Sequence, residues 1–218
     1  MRLGLYSSIT IATLMCFGEA NAAPPQLKGQ YAFTGMATCQ FSGQPFSVTQ
    51  PPTITPPDSN NITTHTTLFT VPLNATPNGV FSNTFSVVGV RTFNGDGTGH
   101  LSGRSVEITN VSAQPRVGAS RFEADFTYTI DNAGLLTAQL APGTFKATDL
   151  NLDGSDSAST WTIDNFSLAG LVGNDNAQVI IGTVSPEIET QTFTAGPQTG
   201  TSRQRVCARS RVLTRLQP

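Results

Sequence analysis

The segment "RFEADFTYTI" alternates without a break: Phe122, Ala124, Phe126, Tyr128 and Ile130 fall on one parity, and Glu123, Asp125, Thr127 and Thr129 on the other. Successive side chains of an extended chain point to opposite faces. The pattern therefore predicts an antiparallel strand with one face packed and one in water. The turn-forming "DNAG" follows, and "LLTAQL" returns as a hairpin partner. Comparable segments lie at 28–41, 66–73, 79–93, 99–110, 144–150, 157–172, 177–184, 187–194 and 202–213. Most are separated by clusters that favour tight turns: "PNG", "NGDG", "APG", "LDGSD", "GNDN" and "AGPQTG". About ten short strands with turns between them predict an all-β fold. We expect a single antiparallel β-barrel, closed or nearly closed, of about 8–10 strands, with a β-sandwich as the alternative.

Two segments break phase. In "TWTIDNFSLAGL", Trp161 and Ile163 lie on one parity and Phe166 and Leu168 on the other, so a bulge at Asp164-Asn165 would restore one buried face. In 99–110, Val106 and Ile108 share the parity of His100 and Arg104 while Leu101 lies opposite, which makes Gly103 the natural place for a second bulge. The stretch 49–65, "TQPPTITPPDSNNITTH", has four prolines and no alternation. It reads as a long loop, either a lid or a surface excursion.

The first residues stand apart. Arg2, the apolar run Ile9 to Phe17 and the A-x-A pattern Ala20-Asn21-Ala22 predict a secretory signal peptide over 1–22, with one β-barrel domain over 23–218. The run is shorter than the ~20 residues a membrane-spanning helix needs, and no later stretch is apolar enough to span. A secreted or periplasmic location follows. Removal of the signal leaves Cys39 and Cys207, and an even count in an exported chain predicts a disulfide. No C-x-x-C spacing or nearby histidine supports a catalytic or metal role for them.

Composition agrees with strands: 20 glycines, 13 phenylalanines and a net charge of −2, which favours no class of partner in bulk. Charge is uneven, however. Arg203, Arg205, Arg209, Arg211 and Arg215 crowd the last segment, where they share parity with Cys207. Cys39 shares parity with Tyr31, Phe33 and Phe41, which read as core. Burying four guanidiniums without partners costs several kcal/mol each, so a bulge or strand end beside one cysteine is expected. Most of these arginines would then be solvated, with Val206, Ala208 and Val212 packed inward.

The candidate chemistry is sparse. "NGDG", between two strands and with a single charge at Asp96, is a hairpin turn and not a phosphate or calcium loop. Asp149, Asn151 and Asp153 before Gly154 fit the start of a calcium loop, but Thr160 occupies the position of the bidentate glutamate. They are weak metal candidates, none is favoured, and no cofactor is implied. No nucleophile with a histidine–acid pair is visible. If Asp96-Gly97 is a two-residue turn, then Arg91, Phe93, His100 and Arg104 share an inward parity near one barrel mouth. They would suit an anionic ligand group or an enolate-like intermediate, whereas a bulge at Gly103 would turn them out to solvent.

The opening "LKGQYAFTG" and the hairpin "VRTFNGDGTGHLSG" resemble uncharacterised exported bacterial β-barrel proteins, themselves similar to the allene oxide cyclase and lipocalin-like barrels. The resemblance covers the first half of the chain and carries over no catalytic residue. We expect an exported non-enzymatic barrel holding a small apolar, amphipathic or anionic ligand in its lumen. The alternatives are a cyclase or isomerase of the allene oxide cyclase type, and a structural or surface-associated protein that makes contact through its arginine-rich last strand. Nucleic acid is not an expected partner.

Overall fold

The computed structural model describes residues 26–49, 68–70, 81–111, 114–173, 178–182 and 188–216. The predicted signal peptide 1–22 and the proline-rich stretch 49–65, apart from Thr49, lie outside them. The strands are β1 (Lys28–Ser42), β2 (Ser47–Thr49), β3 (Leu68–Thr70), β4 (Phe81–Asn94), β5 (Thr98–Val111), β6 (Gln114–Ile130) and β7 (Leu135–Leu140). They continue as β8 (Lys146–Leu150), β9 (Asp156–Asp164), β10 (Ser167–Val172), β11 (Gln178–Gly182), β12 (Ile188–Ala195) and β13 (Ser202–Arg215). No described residue is helical. Strands β2 and β3 pair only with each other, and the other eleven form one antiparallel sheet that closes through β1 and β13.

The closure is double. One eight-strand ring runs β13–β1–β4–β5–β6–β7–β10–β11. A second shares β13, β1, β4, β5 and β6 but returns through β8, β9 and β12. The reason lies in strand length. β6 pairs with β7 through 126–130 and with β8 through 120–123, while β13 pairs with β11 through 210–214 and with β12 through 202–206. Five long strands thus form a continuous wall, and the opposite wall is cut at mid-height into two three-strand storeys. One cut is the turn after Leu140. Another is Asn165, whose φ of 60° breaks the run between β9 and β10 at the predicted bulge. Ile163, Phe166 and Leu168 are all buried, as that phase break requires.

The barrel's hairpin end is filled. Phe93 packs T-shaped against Tyr31, Phe126 and Tyr128 at 5.2, 5.3 and 5.0 Å, and the Tyr128 hydroxyl donates to the Leu27 carbonyl at 2.7 Å. Rings of this size fit because facing positions lack side chains. Gly89 and Gly103 are cross-strand partners on the inward face. A Cβ at Gly89 would lie 2.7 Å from Phe33 Cζ, and one at Gly103 would lie 2.9 Å from Phe122 Cζ. Gly103 is therefore a seat for a ring. The expected bulge there is absent, because β4 and β5 stay in register from Ser82–Asn110 to Phe93–Gly99. Gly89→Ala should lower stability by about 1–3 kcal/mol through overpacking, while the outward Ser86→Ala should stay within about 0.5 kcal/mol. Urea unfolding of both variants checks this, and equal effects would contradict it.

Candidate functional site

The β4–β5 hairpin decides where the sequence-predicted group goes. Its loop has three residues, Gly95, Asp96 and Gly97. Both glycines adopt positive φ (87° and 86°), and Asp96 Oδ1 accepts from the Thr98 amide at 2.9 Å and its hydroxyl at 2.6 Å. These hydrogen bonds hold the Asp96 carboxyl below its ordinary range. Phe93 therefore pairs with Gly99 and Arg91 with Leu101, where a two-residue turn would pair Phe93 with His100. A slip of one residue moves a whole strand's side chains to the other face. Arg91 and Phe93 point inward and are buried, whereas His100 and Arg104 point outward and are exposed. His100 Nδ1 meets Asp125 Oδ1 at 2.8 Å on the outer surface, and Arg104 lines an outer pocket of about 870 Å³ beside Arg121. Phe93 belongs to the aromatic plug.

The last strand corrects a larger expectation. β1 and β13 pair continuously from Tyr31–Arg215 to Ser42–Gln204, with Cys39 directly opposite Cys207 and disulfide-bonded to it. No bulge intervenes. Arg205, Arg209 and Arg211 consequently face inward with Cys207 and are buried, while Ala208 and Val212 are exposed. Two features make this tolerable. The first is Glu189 on β12, 1% exposed, which accepts from Arg205 Nε at 2.7 Å and pairs with Arg209. The second is a set of ring faces. Arg209 lies 4.6 Å from the Phe166 centroid, Arg211 5.9 Å from Phe33, and Arg91 5.7 and 5.4 Å from Phe33 and Phe126. Arg203 sits within 4.7–5.1 Å of Phe41, Phe81 and Phe193, and donates to Gln191 at 2.8 Å. Burial pushes both Arg91 and Arg203 down to about 10. Arg211 is held well below its ordinary value by burial and then by the charges of Arg91 and Arg209.

Between these groups lies a small cavity of about 50 Å³, walled by Phe85, Phe122, Phe145, Trp161 and Phe166, with Ser105, Glu107, Arg205 and Arg211 among its polar groups. It shares Glu107, Trp161 and Arg205 with an outer chamber of about 240 Å³ that reaches the exposed Pro197 and Gln198 of the β12–β13 turn. The lumen is thus plugged at the β4–β5 hairpin and approached from the opposite end. Glu107 Oε2 accepts from Asn83 Nδ2 at 2.7 Å at this boundary.

The weak metal candidates are otherwise engaged. Asp149 accepts from the Trp161 indole at 2.9 Å, Asn151 donates to Ser155 Oγ at 3.0 Å, and Asp153 Oδ1 accepts from the Ser155 amide and hydroxyl at 2.9 and 2.6 Å. Among the described residues no three His, Cys, Asp or Glu side chains form a group that could hold a metal ion.

Fold and site together define an antiparallel barrel with a charged, aromatic-lined lumen. No protein-family model matches the chain, and no curated protein matches it. Among solved structures it is similar, at 9% identity, to "Enduracididine biosynthesis enzyme MppR complexed with the condensation product of pyruvate and imidazole 4-carboxaldehyde". That match spans 89% of this chain and 96% of the other at a TM-score of 0.19, too low to carry an argument. No helix among the described residues is long and apolar enough to cross a membrane.

Sequence reasoning missed Glu189, Arg205, Arg209, Arg211 and the cavity rings as a site. The available signal was the parity that Cys207 shares with the arginines, combined with the core parity of Cys39.

Proposed function

We propose that the protein is an exported, non-enzymatic barrel that binds a small amphipathic molecule in its lumen. The observation that carries the reading is the inner cavity, with five aromatic walls and a few convergent polar groups, joined to an outer chamber that opens at Pro197 and Gln198. Ligand sites are commonly concave, mostly apolar and supplied with a few fixed polar groups. Export is supported by the signal-like first residues and by the Cys39–Cys207 bridge. A contact role for the arginine-rich strand loses its basis, because Arg205, Arg209 and Arg211 are buried.

Trp161 is the only tryptophan and lines both chambers, so it reports on them directly. The neutral fluorophore N-phenylnaphthylamine should quench Trp161 emission and gain emission by energy transfer. Ser105→Phe, which fills the cavity, should abolish both effects while the protein stays folded. Native mass spectrometry of protein from its own host should show a retained small molecule. No energy transfer and no retained mass would overturn the reading.

A further inference from the structure

We infer that the lumen takes a carboxylate, a small organic acid whose anionic group sits against Arg211. The inference rests on the lumen-binding reading above and specifies its ligand class.

Four guanidiniums are buried in the lumen wall: Arg91, Arg205, Arg209 and Arg211. The one carboxylate buried with them among the described residues, Glu189, is engaged by Arg205 and Arg209. Arg91 and Arg211 make no ion pair among the described residues. Nε and Nη2 of Arg91 and Nε of Arg211 are buried without a hydrogen-bond partner there. Ring faces compensate only in part, since a cation–π contact is weaker than the loss on removing an ion from water. The two cations also crowd each other, because both guanidiniums lie within 6 Å of the same Phe33 ring, at 5.7 and 5.9 Å. An anion placed against Arg211, which lines the cavity, would meet its orphaned Nε and offset the neighbouring positive charge. The lowered Arg211 value points the same way, since burial and neighbouring positive charges cause it and a bound anion would oppose both.

The donors select the kind of anion. Nε and Nη2 lie on one side of a planar guanidinium, at a spacing that matches the two oxygens of a carboxylate. A phosphate dianion is more strongly hydrated and carries a third oxygen. Of the side chains that line the cavity, Ser105 supplies the one neutral hydroxyl. The remaining walls are rings, which suit a planar apolar body, and a second acid group at the outer boundary would meet Glu107.

The experiment titrates phenylacetate, phenylpropionate, their primary amides and inorganic phosphate into the full-length protein, reading Trp161 fluorescence and melting temperature. It uses wild type, Arg211→Met, Arg211→Lys and the outward control Arg104→Gln. The acids should bind at least about tenfold more tightly than the amides in wild type and in Arg104→Gln. Arg211→Lys should keep a reduced preference and Arg211→Met should lose it. Without ligand, Arg211→Met should melt no lower than wild type, because it removes an uncompensated charge. Equal binding of acids and amides, or a response to phosphate alone, overturns the carboxylate assignment and leaves lumen binding standing. No response to acids or amides alike overturns lumen binding itself. An Arg211→Met protein that fails to fold or melts many degrees lower shows that the charge is already compensated, which also overturns the inference.

Discussion

Glu189→Gln is expected to lower folding stability by about 3–5 kcal/mol, the effect of removing one partner from a buried ion pair. Glu189 faces Arg205 across the β12–β13 ladder and reaches Arg209 as well, so its loss removes the carboxylate that both buried guanidiniums engage among the described residues. In a protein of this size that corresponds to a fall in melting temperature of roughly 6–20 °C. Circular dichroism on heating measures it. The combined replacement Glu189→Met, Arg205→Met and Arg209→Leu should recover most of the loss, because apolar side chains of similar volume carry no desolvation penalty. A Glu189→Gln protein within about 1 kcal/mol of wild type would mean that water or the rings already compensate these arginines.

The double substitution Cys39→Ala, Cys207→Ala should destabilise by about 4 kcal/mol, near the upper end for a disulfide. The bridge spans 168 residues, and closing so long a loop removes much of the freedom of the unfolded chain. Both cysteines are buried beside Phe41, so the alanines also leave a small void. Urea unfolding should show an increased denaturant dependence as well, since an unbridged denatured chain exposes more surface. A loss below about 1 kcal/mol would show that β1 and β13 hold the seam without the bond.

Strand class, most strand positions and the turns were legible in the sequence, because period-two alternation and turn residues act locally. Phe122 to Ile130 shows this directly, and so does the break at Asn165, where the parity of buried residues changes. Two things were not legible. One was loop length: whether two or three residues of "NGDG" make the turn depends on where ladder pairing stops, and a single residue separates a lumen histidine from a surface one. The other was the location of the arginines. Parity placed them with Cys207, on the core side, but the solvation penalty argued for the outside. The compensation comes from Glu189, 16 residues before Arg205 in sequence, and from Phe33 and Phe166 on two other segments. Such partners are visible only after closure.

That closure also governs how the chain behaves toward copies of itself. From Gln30 to Gln40, Ser82 to Asn94 and Ser202 to Thr214, the outward positions of β1, β4 and β13 carry no charge, and Met36, Val88 and Val212 are exposed among them. Uncharged, threonine- and valine-rich strands readily add further strands wherever their backbone is left unpaired. Closure leaves little unpaired on β1 and β4, because β1 pairs with β13 and β4 along nearly its whole length, and β4 with β1 and β5. Parting β1 from β13 would create two edges at once, on strands of 15 and 14 residues. The Cys39–Cys207 bond sits in that seam and ties together the two strands whose parting would expose those edges to the next molecule.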